Sequence, residues 1–192
     1  MHPFLKLIGT FSTDNHARGV QFEKLCQWLL ETHPLYKSKL TQVWLWDDWP
    51  GRWGRDCGID LIAQDTEGNN WAIQAKCYDS QYSVTKQDID SFLSESSNPI
   101  IHHRLLIATT DRLGSNAVGV INRQHEVTPI NRLMLSDLLD APMDWPKSLD
   151  ELSTGRVKTA YTPKPYQQIA IDKVTNNLKD RGQLIMACGT GK

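Results

Sequence analysis

The chain is 192 residues long, 40% hydrophobic and 22% charged, with a formal net charge of −1. That length holds one domain with a true core and part of another, and the composition excludes disordered and fibrous classes. Residues 1–150 carry 14 basic and 19 acidic side chains, a balance of −5, whereas residues 151–192 carry seven and three, a balance of +4; this counts against a free-standing DNA-binding module, in which basic patches are expected.

No apolar run approaches the roughly 20 residues that cross a bilayer, and the opening "MHPFLKLIGTFSTDNHARG" has no signal-peptide pattern. Cys26, Cys57, Cys77 and Cys188 form no CxxC pair. Reduced thiols in a cytoplasmic protein, with no membrane partner, are therefore expected.

The first element in chain order is a helix over "HARGVQFEKLCQWLLETHP": Phe22, Leu25, Cys26 and Leu29 recur at helical spacing, Asp14 or Asn15 can cap it, and Pro34 follows it. "TQVWLWDDWP" reads as a short strand stopped by Pro50 and Gly51. "GIDLIAQD" and "WAIQAK" read as two strands joined by "TEGNN", a hairpin turn. A helix over "SVTKQDIDSFLSES" follows, with Ser83 or Thr85 near its cap. "HRLLIATT" is a buried strand, "SNAVGVINRQ" a helix, and "VTPINRLMLS" a strand with Pro129 near its start. This order predicts an α/β fold, a mixed sheet with helices on both faces. The proline-rich segment "DAPMDWPKSLDELSTGRVKTAYTPKP" reads as a linker, giving domain 1–140, linker 141–163 and a second unit from 164. That unit opens with a helix "YQQIAIDKVTNNLKD" and a strand "GQLIMA" leading into "CGTGK".

Alternation along "WAIQAK" turns Ile73 and Ala75 to one face and Gln74 and Lys76 to the other. A tight hairpin brings Asp60 beside them. A carboxylate, an amide oxygen and an ammonium then gather at one end of a sheet. An oxygen-preferring divalent cation such as Mg²⁺ binds through one or two carboxylates plus waters and phosphate oxygens. Asp60 supplies the carboxylate, with the Gln74 amide oxygen and the Ala75 carbonyl as weaker ligands. Lys76 can position or deprotonate a water, or stabilise charge building on a phosphate. The bland alternative makes Asp60 a turn acid and Lys76 an edge-strand gatekeeper.

The residues "GID" and "QAK" resemble the G-x-D…Q-x-K signature of the PD-(D/E)xK nuclease superfamily, in its Mrr-like restriction branch, where Gln often stands for the second acid. "RGVQFEKL" resembles the branch's first helix, whose glutamate approaches the site; Glu23 matches it. The resemblance spans residues 17–138. It implies a restriction-endonuclease-like fold, Mg²⁺-dependent hydrolysis of double-stranded DNA, and catalytic roles for Asp60, Gln74, Lys76 and Glu23. The uncharged Gln74 is the departure that bears on binding of a second metal. In "DDWPGRWGRDCG", Arg52 and Arg55 flank Trp53 just before Asp60, where they could reach a DNA phosphate; Asp56 suits a turn better than a metal. His102 and His103 lack the spaced partners of a zinc site.

"IMACGTGK" resembles the phosphate loop of superfamily 2 helicases, with Gly189, Gly191 and Lys192 in place. "KPYQQIAI" resembles their Q motif, in which Gln167 would read adenine. The Ser/Thr expected after Lys192 is missing, so residues 164–192 look like the start of a motor, and ATP would serve a longer parent protein. Nuclease then motor resembles the type ISP restriction–modification enzymes. This implies further partners: the rest of the motor, methyltransferase and target-recognition regions, and a second nuclease domain for cutting both strands. Two alternatives stay open: a DNA-binding or assembly domain without catalysis, and an end-processing nuclease of a repair or defence helicase.

Overall fold

The helix expected around Phe22 forms because Asp14 accepts a hydrogen bond from the Ala17 amide at 2.8 Å, capping it, and His33 with Pro34 ends it. In the computed structural model this is α2, Asn15–Thr32. The structure describes residues 1–54, 58–124, 128–154 and 156–157, with Pro165, Gln168, Ile169, Ile171 and Asp172. The chain divides into two compact units, Met1–Val157 and Lys158–Lys192.

Ahead of α2 lies α1, Pro3–Ile8, and behind it α3, Pro34–Lys39; neither short helix was evident in the sequence. The sheet strands are β1, Leu40–Leu45, β2, Leu61–Asp65, β3, Asn70–Lys76, β4, Ile101–Ala108, and β5, Ile130–Leu133. They stand in the order β1-β2-β3-β4-β5. The first two pairings are antiparallel and the last two parallel. The crossovers between the parallel strands are α4, Lys86–Glu95, capped by Thr85, and α5, Ser115–Gln124. The result is the mixed sheet with helices on both faces that the sequence implies.

Alternation along the strands separates two apolar layers. Val43, Leu61, Ala63, Ile73, Ala75, Leu105 and Ile107 pack with Phe22, Leu25, Cys26 and Leu29 of α2. Ile62, Ala72, Leu106, Ala108 and Ile130 pack with Ile89 and Phe92 of α4 and Ala117 and Ile121 of α5. Arg104, 1% exposed, is the charged member of this second face. It donates to the Ser96 carbonyl, Ser97 Oγ, Gln124 Oε1 and the Thr128 carbonyl. Those acceptors lie at the C-terminal ends of α4 and α5, where helix dipoles favour a cation.

Two sequence boundaries move. The strand expected over 127–136 is β5 alone, because Leu135 begins α6, Leu135–Asp140. The linker expected over 141–163 starts later. Met143 and Trp145 are buried, and Trp145 meets Phe4 and Trp28 with ring centroids 4.7 and 5.9 Å apart. This strap packs on Phe4 of α1 and Trp28 of α2, and it is tied by β6, Met143–Asp144, pairing with β7, Arg156–Val157. Prolines and charges masked the apolar spacing of Met143 and Trp145.

In the second unit Pro165, Gln168, Ile169, Ile171 and Asp172 are helical, and Gln168 donates to Asp172 at 2.7 Å. The expected strand "GQLIMA" and loop "CGTGK" lie outside the described residues, as do Gln167, Gly189, Gly191 and Lys192. No helix among the described residues is long and apolar enough to cross a membrane.

The β2–β3 hairpin is fastened by Asp65. Its Oδ1 accepts from the Glu67 and Asn69 amides, both at 2.9 Å, and its Oδ2 accepts from the Asn69 side chain and the Trp71 indole. Gly68, at φ +86°, supplies the left-handed turn residue. Burial alone would raise the Asp65 carboxyl, but these donors overcome it and hold the pKa at about 2. A carboxyl held below its ordinary 3.8 stabilises the fold in full above about pH 4 and loses that contribution as pH falls toward 2. Asp65→Ala should cost about 1–3 kcal/mol at neutral pH. Chemical denaturation across this pH window should show a flatter profile for the variant than for wild type.

Candidate active site

Asp60 is the residue just before β2, and its backbone is held from both sides. Its amide donates to the Ile73 carbonyl at 3.0 Å, and its carbonyl accepts from the Trp46 amide at 2.9 Å. The carboxylate Oδ2 then accepts from the Ala75 amide at 2.6 Å. With Leu61 paired to Ile73, the Asp60 side chain thus takes over a donor in the ladder where β2 no longer reaches it. This anchors the acid at the level of the sheet, directly between Gln74 and Lys76 in sequence along β3.

Gln74 is 1% exposed. Its Nε2 donates to the Gly58 carbonyl at 3.1 Å, and that bond fixes the amide so that Oε1 is left as the remaining polar atom. Oε1 is buried and has no hydrogen-bond partner among the described residues. An unpaired buried acceptor calls for a reason. The indole nitrogens of Trp28 and Trp145 share that condition, so it does not mark a site by itself; what differs here is that Asp60 is bonded to the next residue of β3 and Lys76 follows it. Gly58 has φ +76°, and a Cβ on it would overlap the Ser91 side chain and crowd the Phe92 amide of α4. The glycine of "GID" is therefore required twice, by its backbone conformation and by its approach to α4.

Lys76 closes β3 opposite Ala108 and is half-buried. No hydrogen bond or ion pair engages its ammonium among the described residues. Glu23 lies on α2, one turn before Cys26. The Cys26 thiol is pushed well up by burial first, then by Asp60, Cys77 and Glu23. Asp60 also contributes, after burial and Asp88, to raising the Tyr78 phenol.

The oxygen donors present suit a hard cation: the Asp60 carboxylate, the unpaired Gln74 Oε1 and the Ala75 carbonyl. This is a sparse set, compatible with an ion that keeps several waters. No group of three or more His, Cys, Asp or Glu side chains is arranged for a metal among the described residues. Arg52 is exposed and paired with Asp47 at 2.9 Å, so its guanidinium is held by an acid. Arg55 and Asp56 lie outside the described residues.

Residues 31–154 match the Mrr_cat_2 family model, described as a restriction endonuclease. The chain belongs to that family. Among solved structures it is similar to the ATP-dependent type ISP restriction–modification enzyme LlaBIII bound to DNA, with TM-score 0.64 and 34% identity, over 88% of this chain and 11% of that one. The DNA modification-dependent endonuclease AspBHI matches at TM-score 0.45 and 15% identity, over 80% of this chain and 41% of that one. MspJI restriction endonuclease in complex with a 27-mer oligonucleotide matches at TM-score 0.39 and 17% identity, over 62% and 25%. No curated protein sequence matches. The chain spans only about a tenth of the LlaBIII chain.

The loop before β2 thus fixes both Asp60 and the Gln74 amide, through Gly58. Gly58→Ala should displace both Asp60 and the Gln74 amide. The expected result is a loss of about 1–3 kcal/mol in stability, read by thermal unfolding, with a larger fractional loss of any DNA cleavage than of fold.

Proposed function

We propose that residues 1–157 form a Mg²⁺-dependent endonuclease domain that hydrolyses phosphodiester bonds of double-stranded DNA. The observation that carries this reading is the Asp60 carboxylate bonded to the Ala75 amide, between the unpaired Gln74 Oε1 and the unengaged Lys76 ammonium. Asp60, Gln74 and the Ala75 carbonyl would hold the cation. A divalent ion there lowers the pKa of bound water and neutralises charge on the phosphoryl oxygens. Lys76 orients the attacking water and stabilises charge building on the phosphate. Glu23, on α2, adjusts the local charge and can accept a proton from water. The leaving 3′ oxygen would take its proton from solvent water.

In a longer parent protein, the segment 164–192 would begin a superfamily 2 motor that uses ATP, with Gln167, Gly189, Gly191 and Lys192 at the nucleotide. Methyltransferase and target-recognition regions would follow, and the assembly would act on DNA in the cytoplasm. LlaBIII, which is ATP-dependent and bound to DNA, supports this context. A translocating parent would also reconcile the acidic balance of residues 1–150 with DNA as substrate, since the motor would supply the affinity that this domain lacks.

The test is nicking of supercoiled plasmid with Mg²⁺. Asp60→Asn keeps an acceptor for the Ala75 amide and removes the charge; Lys76→Ala removes the ammonium. Each should lower the cutting rate about 10²-fold or more while the thermal unfolding curve stays in place. Equal cutting by wild type and both variants would rule the site out. DNA binding by wild type without nicks would favour a domain that keeps the fold for assembly alone.

A further inference from the structure

The stripe of α2 that faces the sheet does not end with apolar residues. Cys26 and Phe22 are buried against the strands, and one turn earlier, at the same helical spacing, stands Arg18. Its Nε donates to Cys77 Sγ at 3.2 Å. Cys77 directly follows Lys76, and its sulfur is among the groups that raise the Cys26 thiol together with Asp60 and Glu23. Arg18 is therefore tied, by one of its five donors, to the residue that follows Lys76 at the end of β3.

That tie is unusual for an arginine. A thiol is a weak acceptor, and no carboxylate pairs with Arg18 among the described residues. Residues 1–150 hold more acids than bases, and Arg52 has found one of them. The half-buried guanidinium is oriented by the thiol and is not paired with an acid among the described residues. Its two terminal amino groups carry no hydrogen bond among the described residues, and together they form the planar fork that matches phosphate oxygens. A purely structural arginine of this exposure would be expected to end on an acid or a helix C-terminus, as Arg104 does. Neither feature is present at Arg18, which sits in the first turns of its helix.

We propose that Arg18 binds a backbone phosphate of the DNA strand being cut, next to the one attacked, and that Cys77 is its positioning residue. This rests on the nuclease reading above. It adds a second cation beside Lys76, contributed by α2 and not by the hairpin, and it gives the thiol after the Gln-x-Lys run a function in aiming the guanidinium.

The experiment measures binding of a short fluorescent duplex to the chain in EDTA, across a salt series, beside plasmid nicking in Mg²⁺. Arg18→Ala should raise Kd about tenfold, the scale of one charge-assisted contact, and reduce the slope of log K against log salt by about 0.9. Arg18→Lys should restore the slope without restoring the affinity. Cys77→Val should raise Kd several-fold in the wild-type background and add nothing in the Arg18→Ala background, because the thiol acts only through the arginine. Thermal unfolding separates these effects from misfolding. An unchanged slope for Arg18→Ala, or additive losses in the double variant, would overturn the proposal. The two readings fail differently: nicking that depends on Lys76 but not on Arg18 leaves the nuclease and removes this contact. A full Arg18 effect on binding without any nicking leaves the contact and removes the nuclease.

Discussion

One hydrogen bond organises this end of the molecule, the one from the Ala75 amide to the Asp60 carboxylate. A strand that simply ended would leave that amide to water. A side chain that reaches it converts the end of β2 into a fixed position for an acid, without needing a rigid loop. The cost of holding a carboxylate there is offset by a charge-assisted bond to backbone. The neighbouring backbone bonds to Trp46 and Ile73 remove the remaining freedom of residue 60. The result is an anion at the level of the sheet, with Gln74 and Lys76 beside it, two residues apart on one face of β3.

The hairpin that delivers these groups was visible in sequence because its determinants are local. Alternation in "WAIQAK", the Gly68 turn and the acid at the strand start are each decided within a few residues. So was the helix that carries Glu23, with Asp14 as its cap. What escaped reading depends on contacts distant in sequence. Trp145 belongs to the core only because α1 and α2 leave a cleft for it, and no periodicity within 141–163 announces that. Arg104 would be read as a surface charge on composition; it is buried because two helix C-termini converge on it. The thiol contact of Arg18 pairs residues 59 apart along the chain, which sequence spacing alone does not reveal.

The electrostatic layout divides the two ends of the sheet. At one end, Asp65 is saturated with donors and Arg104 with acceptors, so both charges are spent on the fold. At the other, Lys76 and Arg18 hold charge that no acid neutralises among the described residues. Stability requires satisfied polar groups, whereas recognition requires some to be left over. The distinction is informative here because the domain as a whole is acidic. Two cations without an ion pair among the described residues stand out on a domain that carries more acids than bases.

The glutamine at position 74 follows from the same logic. A carboxylate at a position 1% exposed would have to be desolvated, and it could not donate to the Gly58 carbonyl. An amide does both things that the geometry asks. Its nitrogen clamps the loop that presents Asp60, and its oxygen is left without a hydrogen-bond partner among the described residues. Exchanging it for glutamate would add charge to the site but take away the donor that holds Gly58 in its left-handed conformation. The neutral residue is thus no sign of decay by itself: it binds the positioning of Asp60 to the side chain next in line, so that loop placement and ligand placement are set by one amide.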